Sequence, residues 1–284
     1  MSSQLKNSSE LSVVLCTYNG ALYLARQLES IFDQSVPVSE ILVCDDNSDD
    51  GTLDILEEFD KKKPGILKIY KNVFQLGAIN NFEKAIQLCS GSIVFLADQD
   101  DIWEKEKVEK MLRVFDSKKH VELIFTDGQL INDKGEFIGS TLWEKWDFNA
   151  KMRYSWRNNV NAFYSLYNNN NRATGATIAF RRELLQNVGD FKVPIDFWHD
   201  ALLALHAAAL NGLYFIEEPL IRYRIHSGQQ VGITQGSNFN HQLRAQAIPV
   251  EEFQARIKSQ YPKLFNPWYC KWKSLKNRLL SNNK

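Results

Sequence analysis

Phe95-Leu96-Ala97-Asp98-Gln99-Asp100-Asp101-Ile102-Trp103 is an apolar run of strand character that ends in three carboxylates within four residues. Like charges crowded at a strand end call for a compensating cation. An oxygen-only donor set at a sheet edge suits Mg²⁺ or Mn²⁺, which keep some waters and complete their shells with substrate phosphates. The stretch therefore points to a divalent-metal site for a nucleoside-diphosphate substrate. The alternative is that Asp100 and Asp101 cap a helix with its body at Trp103 to Phe115, but one cap accounts for one aspartate and not three.

Working outward, apolar run, polar turn and helical pattern recur. Ser12 to Thr17 leads through Tyr18-Asn19-Gly20 to Leu22, Ala25, Leu28, Ile31 and Phe32 at helical spacing. Ile41 to Cys44 ends at Asp45-Asp46-Asn47-Ser48-Asp49-Asp50-Gly51-Thr52 and enters a helix through Leu53, Leu56 and Phe59. Ile66 to Tyr70 reads as a third strand, Ala78 to Leu88 as a third helix and Ser92 to Leu96 as a fourth strand. This alternation predicts an α/β fold, a mostly parallel Rossmann-like sheet flanked by helices. Ligands of such sheets bind beyond the carboxyl ends of the strands, where Tyr18, Asp45, Asp46, Asp98 and Asp100 all fall. Asp49 and Asp50 read as turn and cap residues.

The second half is less regular. Leu123 to Thr126, Gln129 to Ile131 and Phe137 to Ile138 read as strands around Asp133-Lys134-Gly135. Trp143 to Asn171 is rich in Trp, Tyr and Asn with weak periodicity, either an acceptor-facing segment or a surface excursion. Thr174 to Phe180 has strand character, Asp196 to Ala209 is an almost wholly apolar helix, and Leu213 to Ile216 is a short strand. After Gly236 the chain reads as helical and polar. The expected organisation is a polar leader at 1–10, a catalytic domain at 11–235 and a helical tail at 236–284. In that tail Trp268, Trp272, Leu275 and Leu279 share one helical face beside Lys271, Lys273, Lys276 and Arg278. Such a basic amphipathic helix suits a membrane interface, or docking on the domain or on a second subunit.

Composition narrows the function classes. The 284 residues are 44% hydrophobic, enough for a full core, and Lys+Arg balances Asp+Glu at 34 each, so no global field favours nucleic acid. The four cysteines are widely spaced without a CxxC pair, which suits buried thiols in a reducing cytosol. No segment approaches the ~18 uncharged apolar residues of a membrane span; a cytoplasmic chain is expected. There is no GxGxxG after the first strand and no Walker-type lysine, so phosphates must be held otherwise. A metal on Asp98 and Asp100 can do so, with Arg222, Arg224 and His226 adding positive charge or a further ligand. The other reading of that basic run is a solvated edge strand.

The order VVLCTYNG, VCDDNSDDGT, FLADQDDIW, TGATIAFRRELL, FWHDALL and PLIRYRIHSGQQVG resembles the inverting family 2 glycosyltransferases of the GT-A fold. The resemblance spans about Leu11 to Gly232 and is greatest to the bacterial rhamnosyltransferase-type branch. It implies a nucleotide site of Thr17, Tyr18, Asp45, Asp46 and Asp98, with Tyr18 packed on the base and Asp46 accepting from base or ribose. It implies a DXD metal motif of Asp98 and Asp100 binding Mg²⁺ or Mn²⁺, and Arg224 and His226 near the diphosphate, with His226 a further metal ligand. Asp200 matches the general base. Ser227-Gly228-Gln229-Gln230 departs from the Gly-Asn-Asn usual in the branch. The implied reaction moves a sugar from a nucleoside-diphosphate sugar, dTDP-rhamnose or a UDP-sugar, to a saccharide or lipid-linked saccharide acceptor in bacterial cell-surface polysaccharide synthesis.

The residues accord with that chemistry. Single displacement needs one carboxylate to take the acceptor proton while charge builds on the leaving diphosphate. Asp200 sits between Trp198 and Ala201-Leu202-Leu203, where desolvation raises a carboxyl pKa; as a bland alternative it caps the helix that follows. His199 and His206, seven apart, lack a carboxylate at a matching ligand position and read as structural. Two other classes stay open: a glycoside hydrolase, which needs paired carboxylates but no metal–diphosphate site, and a non-catalytic sugar-nucleotide-binding protein, which needs no base.

Overall fold

The computed structural model describes residues 11–227, 229, 247–269 and 271. Strands β1 (Leu11–Thr17), β2 (Glu40–Asp45), β3 (Leu67–Lys71) and β4 (Ile93–Asp98) pair in parallel in the order β3-β2-β1-β4. Helices α1 (Leu24–Phe32), α2 (Thr52–Lys62) and α3 (Ala78–Leu88) connect them. Every residue of β2 is buried, as both faces of a helix-covered parallel sheet require. The register sets Thr17 opposite Asp45 and Cys16 opposite Asp98, so three strands end at one level.

Beyond β4 the chain does not enter a helix at Trp103. Ile102–Trp103 form a short strand, β5, and α4 (Lys107–Ser117) begins only after a turn in which Lys107 N–H donates to the Glu104 carbonyl. The reason is pairing: Ile102 and Trp103 lie antiparallel to Arg222 and Ile221. Asp101 therefore caps nothing; it is fully buried.

The sheet continues through β8 (Ala179–Arg181), antiparallel to both β4 and β6 (Leu123–Ile131), then β9 (Leu213–Arg224), parallel to β6, with β5 at the edge and β7 (Phe137–Thr141) paired to β6. The two strands read at 123–131 are one, and the strand read at Leu213 to Ile216 runs on to Arg224 past register shifts near Asp127. Thr174 to Phe180 holds a 3₁₀ turn, Gly175–Thr177, before the short β8.

Trp143 to Asn171 is neither loop nor excursion. It forms α5 (Leu142–Lys145), α6 (Ala150–Trp156) and α7 (Asn159–Tyr167), and the asparagines that blur its periodicity include the N-caps: Asn149 accepts from Met152 N–H and Asn158 from Val160 N–H. Trp143, Phe148 and Trp156 pack edge-on around Phe125 in the core.

After α8 (Leu185–Val188), α9 (His199–Ala209) buries all sides, consistent with its near-continuous apolar sequence. Helix α10 (Val250–Gln260) lies off the sheet yet buries Phe253 and Ile257; Phe253 meets Phe197 at 4.7 Å between ring centroids, and Tyr261 Oη lies 2.7 Å from His206 Nδ1. The leader at 1–10 and most of the basic tail, with Trp272, Leu275 and Leu279, lie outside the described residues.

Candidate active site

The ends of β1, β2, β4 and β9 enclose a cavity of about 770 Å³ whose lining includes Tyr18, Asp46, Asp98, Asp100, Tyr223 and His226. On β9 the pleat decides which side chains reach it: Tyr223 faces the cavity, whereas its neighbours Arg222 and Arg224 face the other side.

At the β1–β2 end, Asp45 and Asp46 divide their work. Asp45 is fully buried and accepts from Thr17 Oγ1 (2.9 Å), Ser48 Oγ (2.5 Å) and Ser48 N–H (2.9 Å). Asp45 thus braces the loop and is not among the residues lining the cavity, whereas Thr17, which donates to it, is. Asp46 reaches the cavity wall; Oδ1 accepts from Asn72 Nδ2 and Leu76 N–H, both at 2.7 Å, and Oδ2 from Gly77 N–H at 2.8 Å. A carboxylate has about four acceptor positions, so one remains on Oδ2 for a ligand. Gly77 holds φ +80°, which a residue with a side chain rarely adopts.

Gln99, the middle residue of the acidic motif, was silent in the sequence. Its side chain accepts from Tyr18 N–H (2.8 Å) and donates to the Tyr18 carbonyl (3.0 Å), fixing the backbone beside the expected base site. Gly20 makes room for it, since a Cβ there would fall 2.2 Å from Gln99 Oε1.

The acidic motif itself meets the end of β9. His226 Nε2 lies 2.8 Å from Asp100 Oδ2, and its ring packs against Tyr23 at 4.8 Å. His226 thus stands in direct contact with the second carboxylate of the acidic motif. Arg224 is not among the residues lining the cavity: its Nε donates to the Asp100 carbonyl and its Nη1 to those of Asn132 and Asp133, with its guanidinium 4.5 Å from the Tyr23 ring centroid. Arg222 pairs with Glu104 at 2.7 Å on the outer side.

Behind the motif lie two buried ionisable groups, Asp101 of the motif itself, whose pKa burial pushes well up, and Lys107, which sequence spacing did not flag. Asp101 Oδ1 accepts from Arg224 N–H at 3.0 Å while Oδ2 has no protein partner. Lys107, with no exposed surface, lies with Nζ 3.9 Å from the Trp103 ring centroid and donates to the Ala176 carbonyl at 2.7 Å. Burial pushes the Lys107 pKa down to about 7 against the pull of Asp101 and Asp98. Burial, then the charges of Asp100 and Asp200, push Asp98 upward, with Lys107 opposing.

Asp200 is in the first turn of α9, whose N-cap is Trp198, so its carboxylate is not the cap. Oδ1 accepts from Ala201 N–H (2.6 Å) and Asn171 Nδ2 (3.2 Å), and Oδ2 from Gly175 N–H (3.1 Å). Burial raises its pKa from 3.8 to about 7, outweighing those hydrogen bonds. His199 beside it stacks on Phe82 at 4.2 Å, and His206 has its pKa lowered to about 3 by burial, in keeping with structural roles.

Among the described residues no three His, Cys, Asp or Glu side chains group so as to cage an ion alone. Asp98 and Asp100 do fit a hard divalent cation that draws its remaining oxygens from a diphosphate, because burial and then the neighbouring charge of Asp100 raise Asp98, and a cation beside it would offset both.

The model of the family described as glycosyl transferase family 2 matches residues 12–189. The chain belongs to that family. It is 28% identical over 256 residues to an uncharacterised glycosyltransferase of Nostoc sp., covering 86% of this chain and 70% of that one. To the dTDP-rhamnosyl transferase RfbG of Shigella flexneri it is 37% identical over 102 residues, 34% of this chain and 35% of the other. The mannosyltransferase PcManGT of Pyrobaculum calidifontis, solved with GDP-Man and Mn²⁺, superposes with a TM-score of 0.56 at 19% identity over 99% of this chain and 77% of its own. Other solved chains of this fold are covered over about 60% of their length. The family 2 assignment accounts for the α/β sheet and for the position of the crevice.

Proposed function

We propose that this family 2 chain is a metal-dependent inverting glycosyltransferase that moves a sugar from a nucleoside diphosphate to a hydroxyl of a saccharide or lipid-linked saccharide, in bacterial surface-polysaccharide synthesis. The observation that carries this is Asp200, a carboxylate of raised pKa held by three N–H donors on a rigid helix, close enough to the strand-end acids to raise the pKa of Asp98. A group suited to take a proton, itself outside the cavity lining, is thus within electrostatic reach of a group suited to receive a diphosphate.

In this scheme the nucleotide base lies by Tyr18 and Asp46, which offers its free Oδ2 position to a ring N–H or a ribose hydroxyl. The diphosphate extends toward Asp98 and Asp100. Mg²⁺ or Mn²⁺ bound by these two carboxylates supplies Lewis-acid neutralisation of the leaving charge. Asp200 takes the proton of the acceptor hydroxyl as that oxygen attacks C1 from the face opposite the departing phosphate, so configuration inverts. A base with a pKa of about 7 is ionised for half the molecules at neutral pH and still has appreciable proton affinity. His226 orients Asp100 through their hydrogen bond. The donor is a UDP-sugar or dTDP-rhamnose; the likeness to RfbG supports the latter over about a third of the chain. No helix among the described residues is long and apolar enough to cross a membrane, and the proposed place of action is the cytoplasmic face.

The test is a panel of UDP-, GDP- and dTDP-sugars with Mn²⁺, Mg²⁺ or EDTA. Release of nucleoside diphosphate and product of inverted anomeric configuration are expected with metal only. EDTA-insensitive cleavage, or retention of configuration, overturns the reading.

A further inference from the structure

Lys107 is the one fully buried cation among the described residues whose charge faces the reaction centre without touching its cavity. Its ammonium donates to the Ala176 carbonyl, in the turn Gly175–Thr177, and lies within the electrostatic reach of Asp101 and Asp98, on the loop that follows β4 and at its end. The first amide of that turn, Gly175 N–H, holds Asp200 Oδ2 at 3.1 Å. The turn packs tightly there, since a Cβ on Gly175 would come within 3.3 Å of His199 Nε2 and 3.7 Å of Asp200 Cβ. The turn leaves toward β4 through Ile178, whose carbonyl accepts from Leu96 N–H at 3.0 Å, two residues before Asp98.

We propose that Lys107 is a positioning residue that sets the distance between the diphosphate-binding carboxylates and the general base, by tying the Gly175–Thr177 turn, through its bond to the Ala176 carbonyl, to the start of α4 just beyond the acidic motif. This inference rests on the function proposed above. The Lys107 ammonium lies over the Trp103 ring, two residues beyond Asp101, and so holds the turn from a defined place. A buried lysine kept only for stability is a poor device, because well-packed apolar replacements of buried charges are often neutral or stabilising. A base misplaced by about 1 Å can lose on the order of 10²-fold in rate while ligand binding is retained.

The experiment compares wild type, Lys107→Met, and Lys107→Met combined with Asp101→Asn, which removes both buried ionisable groups and keeps the Oδ1 acceptor for Arg224 N–H. The full chain is used, with UDP and Mn²⁺ as calorimetric probes and turnover on the sugar nucleotide that wild type cleaves fastest. Both variants are expected to bind UDP with Mn²⁺ within about threefold of wild type and to lose roughly 10- to 100-fold in kcat, with KM for the donor little changed. If Lys107→Met does not fold, the double variant alone decides. A double variant with wild-type kcat shows that Lys107 only balances Asp101 and overturns the inference, as does a parallel loss of UDP binding and kcat, which marks general disorder. A wild type that neither binds UDP with Mn²⁺ nor cleaves any donor overturns the proposed function instead, and this inference with it.

Discussion

Replacing Asp200 by Asn separates its catalytic cost from its stability cost. The rise in pKa from 3.8 to about 7 corresponds to about 4 kcal/mol between the protonation states. Because the folded protein holds this proton more tightly than the unfolded chain, the stability it contributes is full below pH 3.8. It declines as pH rises and is gone above about 7. Asparagine cannot ionise and escapes that decline, but its amide must point either at Gly175 N–H or at Ala201 N–H and Asn171 Nδ2, leaving at least one donor facing another. Such a mismatch costs about 1–3 kcal/mol. Asp200→Asn is thus expected to be less stable than wild type by about 1–3 kcal/mol near pH 4 and more stable by a similar amount at pH 8. Urea midpoints measured from pH 4 to 8 in both proteins should cross. Turnover of the variant should fall at least ~10²-fold at every pH, with donor binding little changed. Wild-type kcat/KM should rise about tenfold per pH unit below 7 and level off above it. A stability difference that is flat with pH, or near-normal turnover, refutes the assignment of a raised pKa or of a base.

Asp100→Ala should abolish metal-dependent binding of nucleoside diphosphate while leaving the circular dichroism spectrum unchanged; unaltered calorimetric affinity would remove Asp100 from the metal site. Gly20→Ala should drive Gln99 off the Tyr18 backbone and weaken nucleotide binding about tenfold or more, roughly the loss of one or two hydrogen bonds, readable by UDP titration. Glu40 is buried, which opposes its ionisation, yet Lys68, Ser12 and Ser90 pull its pKa down from 4.5 to about 2. The stability it adds is present above pH 4.5 and lost as pH falls toward 2, so the gap between wild type and Glu40→Gln should be widest at neutral pH and shrink in denaturation curves taken toward pH 3. Ending the chain at Asn266 should reduce pelleting with anionic liposomes at low salt; equal pelleting of both chains would make the tail a packing element.

The parallel half of the sheet was legible because each of its strands is a short apolar run closed by turn residues, and Ala78 to Leu88 was read to the residue. Patterns failed where long-range pairing overrides them. Ile102 and Trp103 look like the start of a helix until β9 supplies a partner, and Leu22, on the apolar stripe of the first helix, precedes that helix and is 79% exposed. At the site, Tyr18, Asp46, Asp98, Asp100 and His226 meet as their motifs suggest. Asp45 and Arg224 share those motifs but are absent from the cavity lining, a distinction of one residue along a pleated strand that composition does not encode. Gln99 and Lys107 were missed because a glutamine between aspartates, or a lysine among glutamates, carries no periodic signal; their partners are 81 and 69 residues away.

The three carbonyls gathered by Arg224 belong to two segments that otherwise meet only through the sheet: the acidic motif and the 132–133 hairpin turn. A planar fork reaches them at once, and a lysine, with its single charged point, does not. Substitution here should therefore be as poorly tolerated as at a ligand-binding position, although the side chain does not line the cavity. In a survey of variants this residue would be scored with the ligands, and Asn132 and Asp133, which it holds only by their carbonyls, would leave no trace of why.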